Sequence, residues 1–439
     1  VRRILWFRRD LRVEDNPLLS LEGEVLPIFI FDKNILEKLP QNDKRVSMIF
    51  SFVNELKTKL QTLGLDLKIF YGEPLEIFNS LDLSAFDEVV ASGDYDEYAK
   101  ERDRAVSQLL HFRYINDTYL FKPKEVMKKD GSPYLVFTPF YNAGLSLLQE
   151  KDMKAHQRAV QTLYKYEYSD EITLESMGFK KEAFSYDFKE KLELFLPKLK
   201  EYKESRDFLD IEASSDLSVA LRFGLVSVRE LYRQAQTREG GEAFIRQLVF
   251  RDFYAYLLFH FPHLRDENHK GVFNGVKDRE KFKKFCSAKT GFPIVDAGVR
   301  ELLRTGKMHN RVRMVVASFF TKDLLLPWQW GEKFFALHLL DYDAASNILS
   351  WQWSAGTGID PQPYFRVFNP YLQSKKFDKD GVYIKKHLPE LQAIEAKNLH
   401  KEEYLLNASI KNYPKPMCEH KIVAKIAIES FKHGVYTNA

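Results

Sequence analysis

Cysteine is almost absent from this 439-residue sequence, which carries only Cys286 and Cys418. Two thiols cannot build a disulfide framework, a four-cysteine zinc site or an iron–sulfur cluster within one chain. Redox chemistry here needs an imported cofactor. Net charge is also scarce, a formal +4, too small to establish nucleic-acid binding, because that footprint depends on local clustering rather than on the total. No apolar run is long enough to cross a bilayer, which disfavours a membrane role. The N-terminal Val-Arg-Arg passes directly into the apolar residues 4–7. That leaves no space for a signal peptide, and a cytoplasmic location is expected. A glycine-rich turn after the first strand is missing as well. Residues 8–12 read Arg-Arg-Asp-Leu-Arg, which disfavours a nicotinamide-binding fingerprint. Tryptophan is rare at five residues, yet four of the five lie between Trp328 and Trp353.

The chain is too long for one hydrophobic core, so at least two packed units are expected. Residues 4–7, 25–31, 67–71, 88–92 and 112–115 read as strands, and the apolar spacing of residues 46–63 and 95–110 predicts helices between them. Pro74 opens a further helix. Strand and helix in alternation imply a parallel sheet with helices on its faces. Between about residues 123 and 195 the pattern loosens into an interdomain connection. Helical patterns then dominate, over residues 242–259, 296–305, 310–325 and 333–340, and apolar periodicity continues through 422–431. The expected organisation is an α/β domain over residues 1–122, the connection over 123–195 and an all-helical domain over 196–439.

Within residues 307–369 polar side chains fall at convergent spacings. Asn310 and Arg313 are three apart, Asp343 and Asn347 four apart, so each pair lies on one helix face. Arg313 with Asp341 and Asp343 could bury charge beside a planar, hydrogen-bonding heterocycle. Spacing alone favours a structural ion pair.

Longer motifs decide between these readings. Residues 308–314 (Met-His-Asn-Arg-Val-Arg-Met), 340–343 (Leu-Asp-Tyr-Asp), 351–358 (Trp-Gln-Trp-Ser-Ala-Gly-Thr-Gly) and 364–370 (Tyr-Phe-Arg-Val-Phe-Asn-Pro) occur in that order. Residues 6–12 with Asp15-Asn16, and 289–297, add two more. Together they resemble the DNA photolyase and cryptochrome family over nearly the whole chain, and in motif they are similar to bacterial cyclobutane pyrimidine dimer photolyases. The resemblance implies FAD as cofactor. It places Tyr202, Ser214, Ser215, Leu217 and Ser218 at the phosphates and ribose, where hydroxyls and helix-start N–H groups suit a pyrophosphate. Phe244, Gln247 and Arg251 are implied to line the same cavity. Asp216 is unexpected among them, since a carboxylate repels phosphate unless it turns away. Around the ring system the resemblance places Asn347 opposite the nitrogen that takes up a proton, Arg313 with Asp341 along one edge, Asp343 near the uracil-like edge, and Asn310 facing adenine and substrate.

The same resemblance implies an electron route through Trp351 and Trp328 to position 285, where this chain has phenylalanine, a poor electron donor. Trp330, a nearby tyrosine or Trp353 would then have to substitute. Read without the family, Trp328 and Trp330 are helix-packing aromatics. Catalytic pocket positions fall on Gln247, Asn310, Met314 and Trp353, with Arg311 beside them. A flipped pyrimidine dimer would be held there between stacking faces and polar edges. Gln247 stands where a glutamate is usual and Phe250 where a tryptophan is usual. UV-damaged DNA is the implied partner, contacted by Arg206, Phe250, Arg311, Trp353, Arg366, Lys375 and Lys376. Residues 362–386, which also hold Lys379, Lys385 and Lys386 against Asp378 and Asp380, carry a local excess of four positive charges, suited to phosphates. An antenna chromophore of unspecified identity is a further implication, near Arg45, Phe50 and Asp94. The expectation is a monomeric, light-driven lyase that repairs cyclobutane dimers by electron transfer from photoexcited reduced FAD. The alternative is a cryptochrome-like blue-light receptor with flavin photoreduction and little repair.

Overall fold

The computed structural model describes residues 1–167 and 171–436. Residues 168–170 of the expected connection lie outside it, as do residues 437–439. The chain divides into two compact units that do not follow chain order. Unit 1 comprises Val1–Tyr134, Thr138–Lys200 and Ser215–Phe259; unit 2 comprises Leu135–Phe137, Glu201–Ser214 and His260–Ala439.

Unit 1 is built on a parallel sheet. Its strands are β1 (Arg2–Phe7), β2 (Gly23–Asp32), β3 (Lys68–Gly72), β4 (Glu88–Ser92) and β5 (Phe112–Ile115), in the order β3-β2-β1-β4-β5. Ile4 pairs with Leu26 on one side and Val89 on the other. Such near-continuous apolar strands are buried on both faces, which is what parallel sheets require. A sixth strand, β6 (Gln161–Leu163), extends the other end of β2. The covering helix Lys44–Thr62 starts at Asp43, whose side chain accepts the Arg45 N–H, and buries Phe52, Val53, Leu56 and Leu60 at helical spacing.

Two local features place Ser215–Phe259 with the sheet. Arg12, in the turn after β1, makes paired hydrogen bonds of 2.9 and 2.6 Å to Asp117, and Arg229 reaches Asp117 and Asp15 at 2.9 and 3.1 Å. Complete burial alone would raise the Asp117 pKa; the two guanidiniums hold it below the usual carboxylate range. Gly224 ends the helix Ser218–Phe223 at φ 65°, and a Cβ there would stand 1.9 Å from the Arg9 carbonyl oxygen. Only glycine allows that approach.

The looseness of residues 123–195 proves partly misleading. Helix Phe137–Glu150 lies inside it, masked in sequence by Pro139 and Gly144. Pro139 falls in the first turn, where proline is tolerated, and Gly144 admits the Phe121 ring, 2.8 Å from where a Cβ would be.

Unit 2 is built on helices that include Pro293–Thr305, Asn310–Ser318, Trp328–His338 and Ala344–Ala355. The pattern expected as one helix over 310–325 breaks at Phe319–Asp323, which forms a single π-helical turn. The helix expected over 333–340 begins earlier, at Trp328, and ends at His338.

Candidate functional site

On unit 1, Phe244, Gln247 and Arg251 recur at spacings of three and four along helix Gly241–His260 and share one face. The Arg251 guanidinium donates to the carbonyls of Thr118 at 2.6 Å and Leu221 at 3.2 Å, and stands 4.6 Å above the Tyr119 ring. Phe250 meets Tyr254 edge-on at 5.6 Å. At the start of helix Ser218–Phe223, the Ser215 Oγ accepts the Leu217 N–H at 3.3 Å. Leu217 is buried while Ser218 is exposed. Tyr186, which sequence reasoning missed, accepts the Ala220 N–H at 3.1 Å and donates to the Asp216 carbonyl at 2.9 Å. The unexpected Asp216 carboxylate turns to Lys191 at 2.5 Å.

On unit 2, His309 caps helix Asn310–Ser318 by accepting the Arg311 N–H on Nδ1 at 3.1 Å. That role requires a neutral ring, and burial pushes the His309 pKa down to about 4. The exposed Asn310 side chain points Nδ2 at the Met314 sulfur, 3.8 Å away, so two expected pocket residues are neighbours. Arg313 is held by the Met308 carbonyl at 2.7 Å and by Asp341 Oδ2 at 2.9 Å. Asp341 Oδ1 is buried and has no hydrogen-bond partner among the described residues. Asp343 caps helix Ala344–Ala355 through the Ser346 N–H at 3.0 Å. Asn347, one turn further on, is 8% exposed. Its Nδ2 donates to the Glu332 carbonyl at 3.0 Å and to Glu332 Oε1 at 3.1 Å, which leaves the amide oxygen as its outward end. Burial pushes the Glu332 carboxyl above its ordinary pKa. Nothing in the pattern of helix Trp328–His338 singles Glu332 out, because its role depends on a partner from another helix.

Trp351 and Trp328 are both buried. Trp328 Nε1 donates to Asn268 at 2.8 Å, whereas Trp351 Nε1 has no hydrogen-bond partner among the described residues. Trp351 is boxed by Phe335 and Phe320 at 4.9 and 5.4 Å. Phe285 is fully buried against Phe320 and Phe334, and Trp330 packs on Phe282 at 5.2 Å. Trp353 is half-buried.

Among the expected DNA-facing residues, Arg366, Lys375, Lys376, Lys379 and Lys386 are exposed. Asp378 takes no part in the surface charge: it is buried and accepts the Tyr383 and Ile384 N–H groups, both at 2.9 Å. Arg311 is half-buried, paired with Asp207 at 2.7 Å and stacked 4.4 Å over Phe377. Arg206 lies 5.6 Å over the buried Tyr202 ring, and Ser214 is exposed. Among the described residues no cluster could hold a metal ion, and no helix is long and apolar enough to cross a membrane.

This geometry has counterparts among known proteins. Residues 3–159 match the family described as DNA photolyase, and residues 244–433 the family described as FAD binding domain of DNA photolyase. A deoxyribodipyrimidine photo-lyase of Alkalihalophilus pseudofirmus is 35% identical, with 98% of each chain covered. The chain belongs to the DNA photolyase family. Another photolyase relative, from Agrobacterium fabrum, is 34% identical over 98% of this chain and 97% of its own. Among solved structures, a class III photolyase from Agrobacterium tumefaciens superposes with a TM-score of 0.86 at 32% identity, covering 99% of this chain and 98% of its own. The archaeal photolyase from Sulfolobus tokodaii, described with two FAD molecules, gives 0.85 at 28% identity, covering 99% of this chain and 100% of its own. The α/β plus all-α architecture is thus the photolyase fold, and the helical part is a photolyase FAD-binding domain. The residues present fit that cofactor: Asp341 Oδ1 and Trp351 Nε1 are buried polar atoms that a hydrogen-bonding heterocycle could satisfy.

Proposed function

We propose that this protein is a deoxyribodipyrimidine photo-lyase, which uses light to split cyclobutane pyrimidine dimers in UV-damaged DNA. The observation that carries the reading is the grouping on one helix of unit 2 of the neighbouring Asn310 and Met314, the former exposed, with Arg313, which Asp341 pairs from outside that helix. One face of that helix offers both a surface for a flipped base pair and charge for a flavin edge. The chemistry supplied by bound FAD, in its reduced form, is the light-driven electron that opens the cyclobutane ring and then returns. The chain's residues do the rest. Asn347 offers its amide oxygen to a protonated ring nitrogen, because Glu332 holds the other end of the amide. Arg313 and Asp341 fix the edge of the ring, with Asp343 beside them. Tyr202, Ser214, Ser215, Leu217, Ser218, Phe244, Gln247 and Arg251 complete the FAD contacts. Trp351 and Trp328 would supply the electron route to a bound flavin, and the buried Phe285 would interrupt its outer end. Gln247, Asn310, Met314 and Trp353 receive the lesion, and Arg206, Phe250, Arg311, Arg366, Lys375 and Lys376 meet the DNA.

The functional division follows residues 1–122, 123–195 and 196–439. The protein acts as a cytoplasmic monomer. A second chromophore, for which the two-FAD Sulfolobus tokodaii photolyase is a precedent, would lie at the carboxyl ends of the unit 1 strands. Arg9 pairs there with Asp94 at 3.1 Å, and Tyr98 donates to Asp32 at 2.5 Å. The deciding assay incubates the reduced holoprotein with an oligonucleotide containing one thymine dimer, in light and in dark. Light-dependent recovery of intact thymines is expected. A tightly bound flavin with no such recovery would refute repair and leave a blue-light receptor.

A further inference from the structure

Lysine is seldom fully buried, because an ammonium away from water needs a hydrogen-bonding partner. Lys322 has no exposure. It sits in the π-helical turn Phe319–Asp323 that follows helix Asn310–Ser318, a distortion that recurs at functional sites. The neighbouring Asp323 is engaged elsewhere, by His420 at 2.5 Å. Burial depresses the Lys322 pKa to about 7, with Asp323 opposing and Arg366 adding to the shift. The Lys322 ammonium donates to the Arg366 carbonyl oxygen at 2.8 Å.

That carbonyl belongs to a projecting turn. The Arg366 N–H closes back on the Pro363 carbonyl at 2.9 Å, and Tyr364, Phe365 and Arg366 between them are exposed. The two rings stand 5.5 Å apart. A second tether lies two residues on, where the Phe368 N–H donates to the Ser318 hydroxyl at 3.3 Å. Ser318 is the fully buried last residue of helix Asn310–Ser318. Before the turn, Gln362 donates to the Ser354 carbonyl at 3.0 Å; after it, Asn369 caps the helix that carries Lys375 and Lys376. The turn is therefore anchored from below to the helix of Asn310 and Met314, and Lys322 supplies the buried anchor.

We propose that Lys322 is a positioning residue for DNA binding, holding the Pro363–Arg366 turn from inside the domain so that Arg366 reaches a phosphate of the damaged strand. The inference rests on the reading that the substrate is DNA and that Arg366 meets its backbone. Below about pH 7 Lys322 is an ammonium, and its hydrogen bond to the carbonyl is then charge-assisted, about twice as strong as a neutral one.

The test measures affinity of the holoprotein, in the dark, for a duplex with one thymine dimer over a series of salt concentrations. Each phosphate contact contributes about 0.9 to the slope of log affinity against log salt. Arg366→Ala should lower that slope by about one and weaken low-salt binding roughly tenfold. Lys322→Met changes a residue with no atom able to touch DNA, yet it should lower the slope equally, and the double variant should be no worse than either single one. If Arg366→Ala changes nothing, the DNA reading of this turn fails and takes the inference with it. If Arg366→Ala weakens binding while Lys322→Met keeps the wild-type slope, the inference alone is overturned. Ser318→Ala provides a milder release should Lys322→Met fold poorly. It should lower the slope in part and speed amide hydrogen exchange at Phe368, and wild-type values for both would overturn the tethering.

Discussion

Replacing Gly331 by alanine tests the packing on which the electron route depends. A Cβ at Gly331 would stand 2.2 Å from Cη2 of Trp351, 2.3 Å from Cζ3 and 2.8 Å from Cζ2. Carbon atoms in contact prefer about 3.5–4.0 Å, so a gap of roughly 1.3 Å must open. The indole cannot swing aside, because Phe335 and Phe320 confine it. Helices Trp328–His338 and Ala344–Ala355 must therefore separate, an overpacking cost of about 1–3 kcal/mol. The same separation pulls on the two Asn347–Glu332 hydrogen bonds, at 3.0 and 3.1 Å, and losing one adds about 1 kcal/mol. Gly331→Ala is expected to destabilise the protein by about 2–4 kcal/mol in denaturant titrations and to slow flavin photoreduction. In a Trp351→Phe background the offending ring atoms are gone, and the same alanine should cost much less. An equal cost in both backgrounds, or an alanine variant within about 0.5 kcal/mol of wild type with unchanged photoreduction, would show that this contact does not set the position of Trp351.

Asp252 gives a pH dependence of defined sign. Burial raises its pKa from 3.8 to about 7, so the folded chain keeps a proton that the unfolded chain releases. Wild-type stability should fall relative to Asp252→Asn as pH rises from about 4 to about 7, by on the order of 4 kcal/mol, and stay level above. Melting temperatures of the pair across that range give the answer, and a constant difference would refute the assigned protonation. Glu332→Ala removes one of the two acceptors that orient Asn347. The flavin midpoint potential should drop by about 20 mV for a loss of about 1 kcal/mol in a two-electron couple, and an unchanged potential would exclude Glu332 as the orienting group. Trp351→Phe should abolish photoreduction while sparing repair by enzyme reduced beforehand; surviving photoreduction would place the electron route elsewhere.

What could be read from the amino-acid order depended on how locally each feature is determined. The central strands were legible because a strand buried on both faces must be apolar along its whole length, as residues 25–31 are. β6 was not, since three residues of mixed character form a strand only because β2 extends beyond β3 to meet them. The helix Phe137–Glu150 was hidden by a proline and a glycine whose tolerance is decided by position in the first turn and by the Phe121 ring. The site divides in the same way. Asn310, Met314 and Asp343 stood out by spacing and motif, because each meets its partner within its own helix or caps it, and Arg313 stood out by motif although its partner Asp341 lies outside its helix. Glu332, Tyr186 and Lys322 were not, because each acts on a backbone or side-chain group far away in sequence: Asn347, Asp216 and Arg366. The residues that touch a ligand tend to fall in motifs. Those that hold such residues in place are dispersed, and for them the three-dimensional neighbour, here a carbonyl 44 positions away from Lys322, is the only signal.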